Sequence, residues 1–170
     1  LELPDEAWLD GYALKFFGAV RLSRLFWPLL KASQGHVVNI IGGAANNQIT
    51  APSGGGGVLS GAGHRIFNAS DYSVIAGGFS NRIQLSSPGG FIGGGQFNWI
   101  VNSSTNSVIG GGAFNQITDP HSFIGGGLQQ TNRSAFAFIG GGQDNLVDSN
   151  SDYSGIGGGR DNAIAANSLY

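Results

Sequence analysis

Three histidines and ten carboxylates are the first candidates for acid–base or metal chemistry in the 170-residue chain, which has no cysteine. His36, His64 and His121 lie too far apart for a metal-ligand motif. They read as unrelated surface or turn residues. The absence of cysteine excludes a disulfide framework and Cys-based zinc or iron–sulfur sites. Gly54 to Gly63 is glycine-rich, as phosphate-cradling loops are, but no helix follows to aim its N-terminus at a phosphate. Asn68-Ala69-Ser70, Asn102-Ser103-Ser104 and Asn132-Arg133-Ser134 are glycosylation sequons, which matter only in a eukaryotic secretory route. A net charge of −2 and a pI near 5.8 supply no basic footprint for nucleic acid. No apolar run reaches the ~18 residues of a membrane span. We expect no catalytic, cofactor-binding or metal-ligating residues, and no cofactor.

The elements that would position any site come from two dissimilar pieces. Both lysines (Lys15, Lys31) and both glutamates (Glu2, Glu6) precede residue 32, whereas all glycines but Gly11, Gly18 and Gly35 follow residue 41. With Leu1 in place of methionine, we expect the sequence to be a fragment. Residues 1–40 read as a helix and then a strand. Asp5 and Glu6 suit the positive end of a helix dipole. Trp8, Tyr12, Phe16, Ala19, Ser23 and Phe26 recur at helical spacing, with Leu9, Phe17, Val20 and Leu25 as a second apolar face. The helix runs from about Pro4 to Leu30, and His36 to Ile41 follows as an apolar strand.

Residues 41–170 are a repeat. Related units begin at Ile41, Val58, Ile75, Ile92, Ile109, Ile124, Ile139 and Ile156, at intervals of 17, 17, 17, 17, 15, 15 and 17 residues. Three residues after each start stands a glycine, except for Ala44 in the first. Six residues after each start come Asn47, His64, Asn81, Asn98, Asn115, Gln130, Asn145 and Asn162. Eight residues after each start an aliphatic recurs, with Asn132 as the exception. The ending Asn167-Ser168-Leu169-Tyr170 matches Asn150-Ser151-Asp152-Tyr153, so the sequence stops inside a ninth repeat.

Such spacing predicts a mainly β fold, a parallel β-solenoid (β-roll) of about eight 15–17-residue coils, preceded by one N-terminal α-helix that caps the first coil. Each coil carries two short strands, of Ser-x-Ile and Asn-x-Ile type, joined by a glycine corner that can take positive φ. Coils stacked ~4.8 Å apart turn equivalent residues into ladders. Ile75, Ile92, Ile109, Ile124, Ile139 and Ile156 form an interior ribbon, and Asn81, Asn98, Asn115, Asn145 and Asn162 a column of amides. The two-residue deletions fall in the second corner.

The residues preceding these isoleucines are Val74, Phe91, Val108, Phe123 and Phe138. Adjacent strand residues point to opposite faces, so a thin coil exposes this column as an apolar stripe that calls for an oligomer. A wider coil burying both columns is the alternative. Asp144 and Asp161 flank the Asn column, but the same slot holds Ser80, Phe97 and Phe114 elsewhere, which does not suit calcium. Asp71, Asp119 and Asp152 fall in corner loops. Phe79, Phe97 and Phe114 either cover a corner or form a stacking platform for sugar rings.

The repeat Ser-x-Ile-Gly-Gly-Gly-x-x-Asn-x-Ile resembles those of trimeric autotransporter adhesin heads and tail-fibre-like β-roll proteins. That resemblance implies a left-handed trimeric roll used for attachment, an extracellular or cell-surface location, and a host-surface or glycan ligand. Its unit here is longer, and no neck, stalk or anchor is recognisable. Residues 8–42, with Trp27-Pro28-Leu29-Leu30 and Gly35-His36-Val37-Val38-Asn39-Ile40-Ile41, resemble the fourth helix and fifth strand of short-chain dehydrogenases. The resemblance implies an NAD(P)-dependent oxidoreductase, yet Lys15 occupies the position of that family's catalytic Asn, Ile41-Gly42-Gly43 replaces its catalytic Ser, and no Tyr precedes a Lys by four residues.

The expectation is therefore a non-enzymatic structural or adhesive module of an extracellular fibre. It is a homo-oligomer, with a trimer favoured, that binds no nucleic acid and does not span a membrane. The alternative is a composite chain or dehydrogenase remnant without function of its own. The uncovered C-terminal coil is expected to associate end to end.

Overall fold

The computed structural model describes residues 46–50 and 55–168. The expected N-terminal helix, the strand at 36–41 and the first repeat start at Ile41 lie outside the described residues. What is described is a parallel β-solenoid of about seven turns, and the described residues contain no helix. Fifteen strands of two or three residues alternate between two sheets, from Gln48–Thr50 to Ala163–Ile164. The Asn-x-Ile strands form an eight-stranded sheet and the Ser-x-Ile strands a seven-stranded sheet, each in the order of the coils.

Every strand pairs in parallel with its own equivalent one coil on. Ile75 lies opposite Ile92, Ile92 opposite Ile109, Ile109 opposite Ile124, Ile124 opposite Ile139, and Ile139 opposite Ile156. In the other sheet Ile66, Ile83, Ile100 and Ile117 align in the same way. These two columns meet in one layer and form the core, with Ile66, Ile75, Ile83, Ile92, Ile100, Ile109, Ile117, Ile124 and Ile139 fully buried. Each such side chain contributes ~2–3 kcal/mol relative to exposure. The second column has one polar member. Asn132 is buried between Val147 and Ile117; its Oδ1 accepts from the Ser134 amide, while its Nδ2 has no partner.

The glycine corner is tighter than a simple bend. Two residues with positive φ flank one extended residue, as in Gly95 (φ 80°), Gln96 and Phe97 (φ 54°). The extended residues Ala62, Phe79, Gln96, Ala113, Leu128, Gln143 and Arg160 bridge from coil to coil, so the corner has a hydrogen-bonded ladder of its own. The first left-handed residue must be glycine for two reasons. Its φ suits glycine, and a Cβ would approach the next coil's carbonyl oxygen to 1.9 Å at Gly95 and 2.2 Å at Gly112. By contrast, the middle glycines Gly94 and Gly111 face open space.

The second corner sets coil length. In three 17-residue coils it contains left-handed pairs at Asn68–Ala69, Leu85–Ser86 and Asn102–Ser103, and in the one from Ile139 to Ile156 Asn150 alone; the 15-residue coils omit these and pass directly to His121 and Phe136. Both sheets continue in unbroken register across the shorter coils.

Gly112→Ala therefore destabilises the fold by at least ~2 kcal/mol in urea unfolding, through left-handed strain and the backbone clash. Gly111→Ala, where φ is not positive, is neutral or stabilises by about 0.5 kcal/mol. Asn132→Val, read by the same unfolding curves, changes stability by less than about 1 kcal/mol, because relief of the unpartnered Nδ2 is offset by loss of the acceptor for the Ser134 N–H.

Candidate functional site

The polar residues of the repeat divide into those that face inward and hold the backbone and those that face solvent. The amide column is of the first kind. Asn81, Asn98, Asn115 and Asn145 are buried, while Asn162 in the last described coil is exposed. Asn98 shows the pattern. Its Oδ1 accepts from the Asn115 backbone N–H at 3.1 Å, and its Nδ2 donates to the Gly94 and Gly112 carbonyls, both at 2.9 Å. Asn81 and Asn145 repeat it, and Gln130 passes the chain from Asn115 to Asn145. The column joins each glycine corner to the next and leaves no amide group directed at a ligand.

Serine forms two further interior columns that sequence reasoning missed. Ser70, Ser87, Ser104, Ser134 and Ser151 are buried, and Ser73, Ser107 and Ser122 run beside them. The Ser70 hydroxyl accepts from the Ser87 amide and donates to the Phe67 carbonyl; Ser134 accepts from Ser151 and donates to the Asp148 carbonyl. The signal was present, since serine recurs at the coil spacing.

His64 corrects the expectation of a surface histidine, because it is fully buried in the amide column. Its Nδ1 accepts from the Asn81 backbone N–H at 3.2 Å, which requires the neutral imidazole with its proton on Nε2. That Nε2 closes no hydrogen bond. Burial pushes its pKa below the usual 6.5, with backbone carbonyls including those of Gly78 and Ser60 opposing. His121 is exposed at the second corner, and His36 lies outside the described residues.

The solvent-facing candidates are two sheet faces and two corners. On the Ser-x-Ile sheet, Val74, Phe91, Val108, Phe123 and Phe138 all point outward, and Phe91, Phe123 and Phe138 are 39–44% exposed. A wider coil burying both columns is therefore not what forms. Phe123 and Phe138 stack with centroids 5.6 Å apart. On one flank runs a corner column in which His121, Phe136 and Tyr153 stack at 4.9 and 5.0 Å. On the other runs the first glycine of each corner, such as Gly93, Gly110 and Gly125. Within these three columns of described residues there is no lysine, arginine, aspartate or glutamate.

At the first corner Phe97 stacks on Phe114 at 5.1 Å, and Phe79 meets Phe97 edge-on at 5.6 Å. Rings stacked face to face present edges to solvent, so this cluster covers the corner rather than offering faces to sugars. Asp144 accepts from Gln143 and Asp161 from Arg160, each beside its own neighbour in the chain. Among the described residues no three His, Cys, Asp or Glu side chains converge on one point. No protein-family model, curated protein or solved structure matches the chain.

The His64 geometry carries a pH dependence with a definite sign. In the unfolded chain His64 titrates at its ordinary value, and in the fold it titrates lower. The unfolded state therefore binds the proton first as pH falls. Stability is complete above about pH 6.5 and declines below it, with a slope of at most ~1.4 kcal/mol per pH unit. Thermal unfolding at pH 7.5 and 5.5 checks this. His64→Asn, which restores the amide column, removes the decline.

Proposed function

We propose that the chain is a non-enzymatic structural and adhesive repeat module of an extracellular fibre or surface adhesin. In this reading several copies pack about an axis parallel to the rod, with three copies the favoured number. One observation supports it above the rest: a straight uncharged stripe of Val and Phe runs along one sheet, half-exposed, between a column of rings and a column of glycines. An apolar surface of that extent on a monomer favours a partner. Further copies fit by rotation about an axis parallel to the rod, because each then turns the same column toward that axis. The flanking glycines let the partner's rings approach the backbone. Among the described residues the Asn and Ser columns of the interior bond to the coil backbone, which suits a rigid spacer that presents its surfaces.

Light scattering at high protein concentration tests the assembly. The expected result is a molar mass of three times 17.5 kDa with a mainly β circular dichroism signal. Combined Phe91→Gln, Phe123→Gln and Phe138→Gln substitutions convert it to a monomer with the β signal retained. A wild-type chain that stays monomeric removes the assembly from this reading.

A further inference from the structure

We propose that the outward face of the Asn-x-Ile sheet is a binding site for a linear acidic polysaccharide, seated on Arg65, Arg82 and Trp99. Four arginines are described. Arg133 pairs with Asp148 at 3.5 Å and Arg160 with Asp161 at 3.1 Å. Arg65 and Arg82 stand directly opposite each other in adjacent strands, and among the described residues neither has a carboxylate partner. Like charges placed opposite across a strand pair destabilise a sheet. A bound anion converts that cost into attraction, because two guanidinium forks match the oxygens of a carboxylate or sulfate.

The next strand adds the second element. Trp99 is opposite Arg82, 37% exposed, and the Arg82 guanidinium lies 5.2 Å from its ring centroid. This contact orients the cation over one ring face, and the part of the indole left exposed gives a pyranose ring an apolar surface beside it. One to three coils further along, where this face meets the first corner, an open groove of about 370 Å³ is bounded by Phe114, Gln129, Thr131, Arg133 and Leu146. Coils stack ~4.8 Å apart, so the arginine pair and the far wall of the groove lie on one line ~24 Å long. A small anion would use one end of that line; a linear polymer spans it.

Charge distribution selects the polymer. A nucleic acid needs cations along its whole track. Here the positive pair gives way to Gln116 and Thr131, and Asp144 borders the groove. That pattern fits a saccharide chain whose charged residues alternate with neutral ones. The site lies on the sheet away from the apolar stripe, so it does not depend on the assembly proposed above.

Affinity electrophoresis tests it with hyaluronan, unsulfated chondroitin, neutral dextran and duplex DNA. The expected result is retardation by both acidic polysaccharides and none by neutral dextran. Combined Arg65→Gln and Arg82→Gln substitutions weaken retardation about tenfold or more. Trp99→Ala weakens it several-fold, and both variants keep the wild-type circular dichroism. Retardation unchanged by the arginine substitutions, absence of retardation, or equal retardation by duplex DNA each overturns the proposal.

Discussion

The distance from one coil to the next, about 4.8 Å and set by parallel backbone hydrogen bonding, governs the whole described structure. At that spacing each residue's nearest non-local neighbour is its own equivalent in the adjoining coil. A side chain is therefore selected for compatibility with copies of itself. Isoleucine packs on isoleucine, asparagine bonds asparagine's backbone, and aromatic rings stack at 4.9–5.6 Å with only modest adjustment. Glycine is demanded where the chain turns left-handed against the next coil's carbonyl. The same rule makes exceptions costly, and they are few: His64 and Gln130 in the amide column, Asn132 in the aliphatic column, and the adjacent arginines on the outer face.

The coil, its two strands, the glycine corner and the two-residue deletions were legible in the amino-acid sequence because each follows from spacing alone. Ile75 and Ile92 recur at a fixed interval, and an interval is all that parallel stacking needs. Other features depend on which way a side chain points. Serine is common in exposed loops, so the recurrence of Ser70, Ser87 and Ser104 at the coil spacing marks a column without saying that it faces inward. Phe97 and Phe114 occupy left-handed positions that ordinarily disfavour large side chains, and only the stacking between coils offsets that preference. His64 was placed in the correct column, yet its burial was masked by the habit of histidine to lie at turns. The Arg65–Arg82 pair was likewise invisible, since one residue is unremarkable until its register partner is known.

The two sheets share one thin core but differ in their outer chemistry. The Ser-x-Ile face is uncharged and aromatic, while the Asn-x-Ile face carries Arg65, Arg82 and Trp99. A single layer of isoleucines separates them, so neither face can be altered in backbone position without moving the other. Side chains on each surface, however, make no contribution to the interior columns. That separation lets recognition and self-association vary independently on one scaffold.

The shortened coils have a wider meaning for how such a rod could change. A pair of left-handed residues can be removed at the second corner while strand pairing stays in step. The corner behaves as a length-neutral port: segments inserted there would project sideways at defined heights along the axis. Whole coils could likewise be duplicated or excised as units, so reach and decoration can evolve separately.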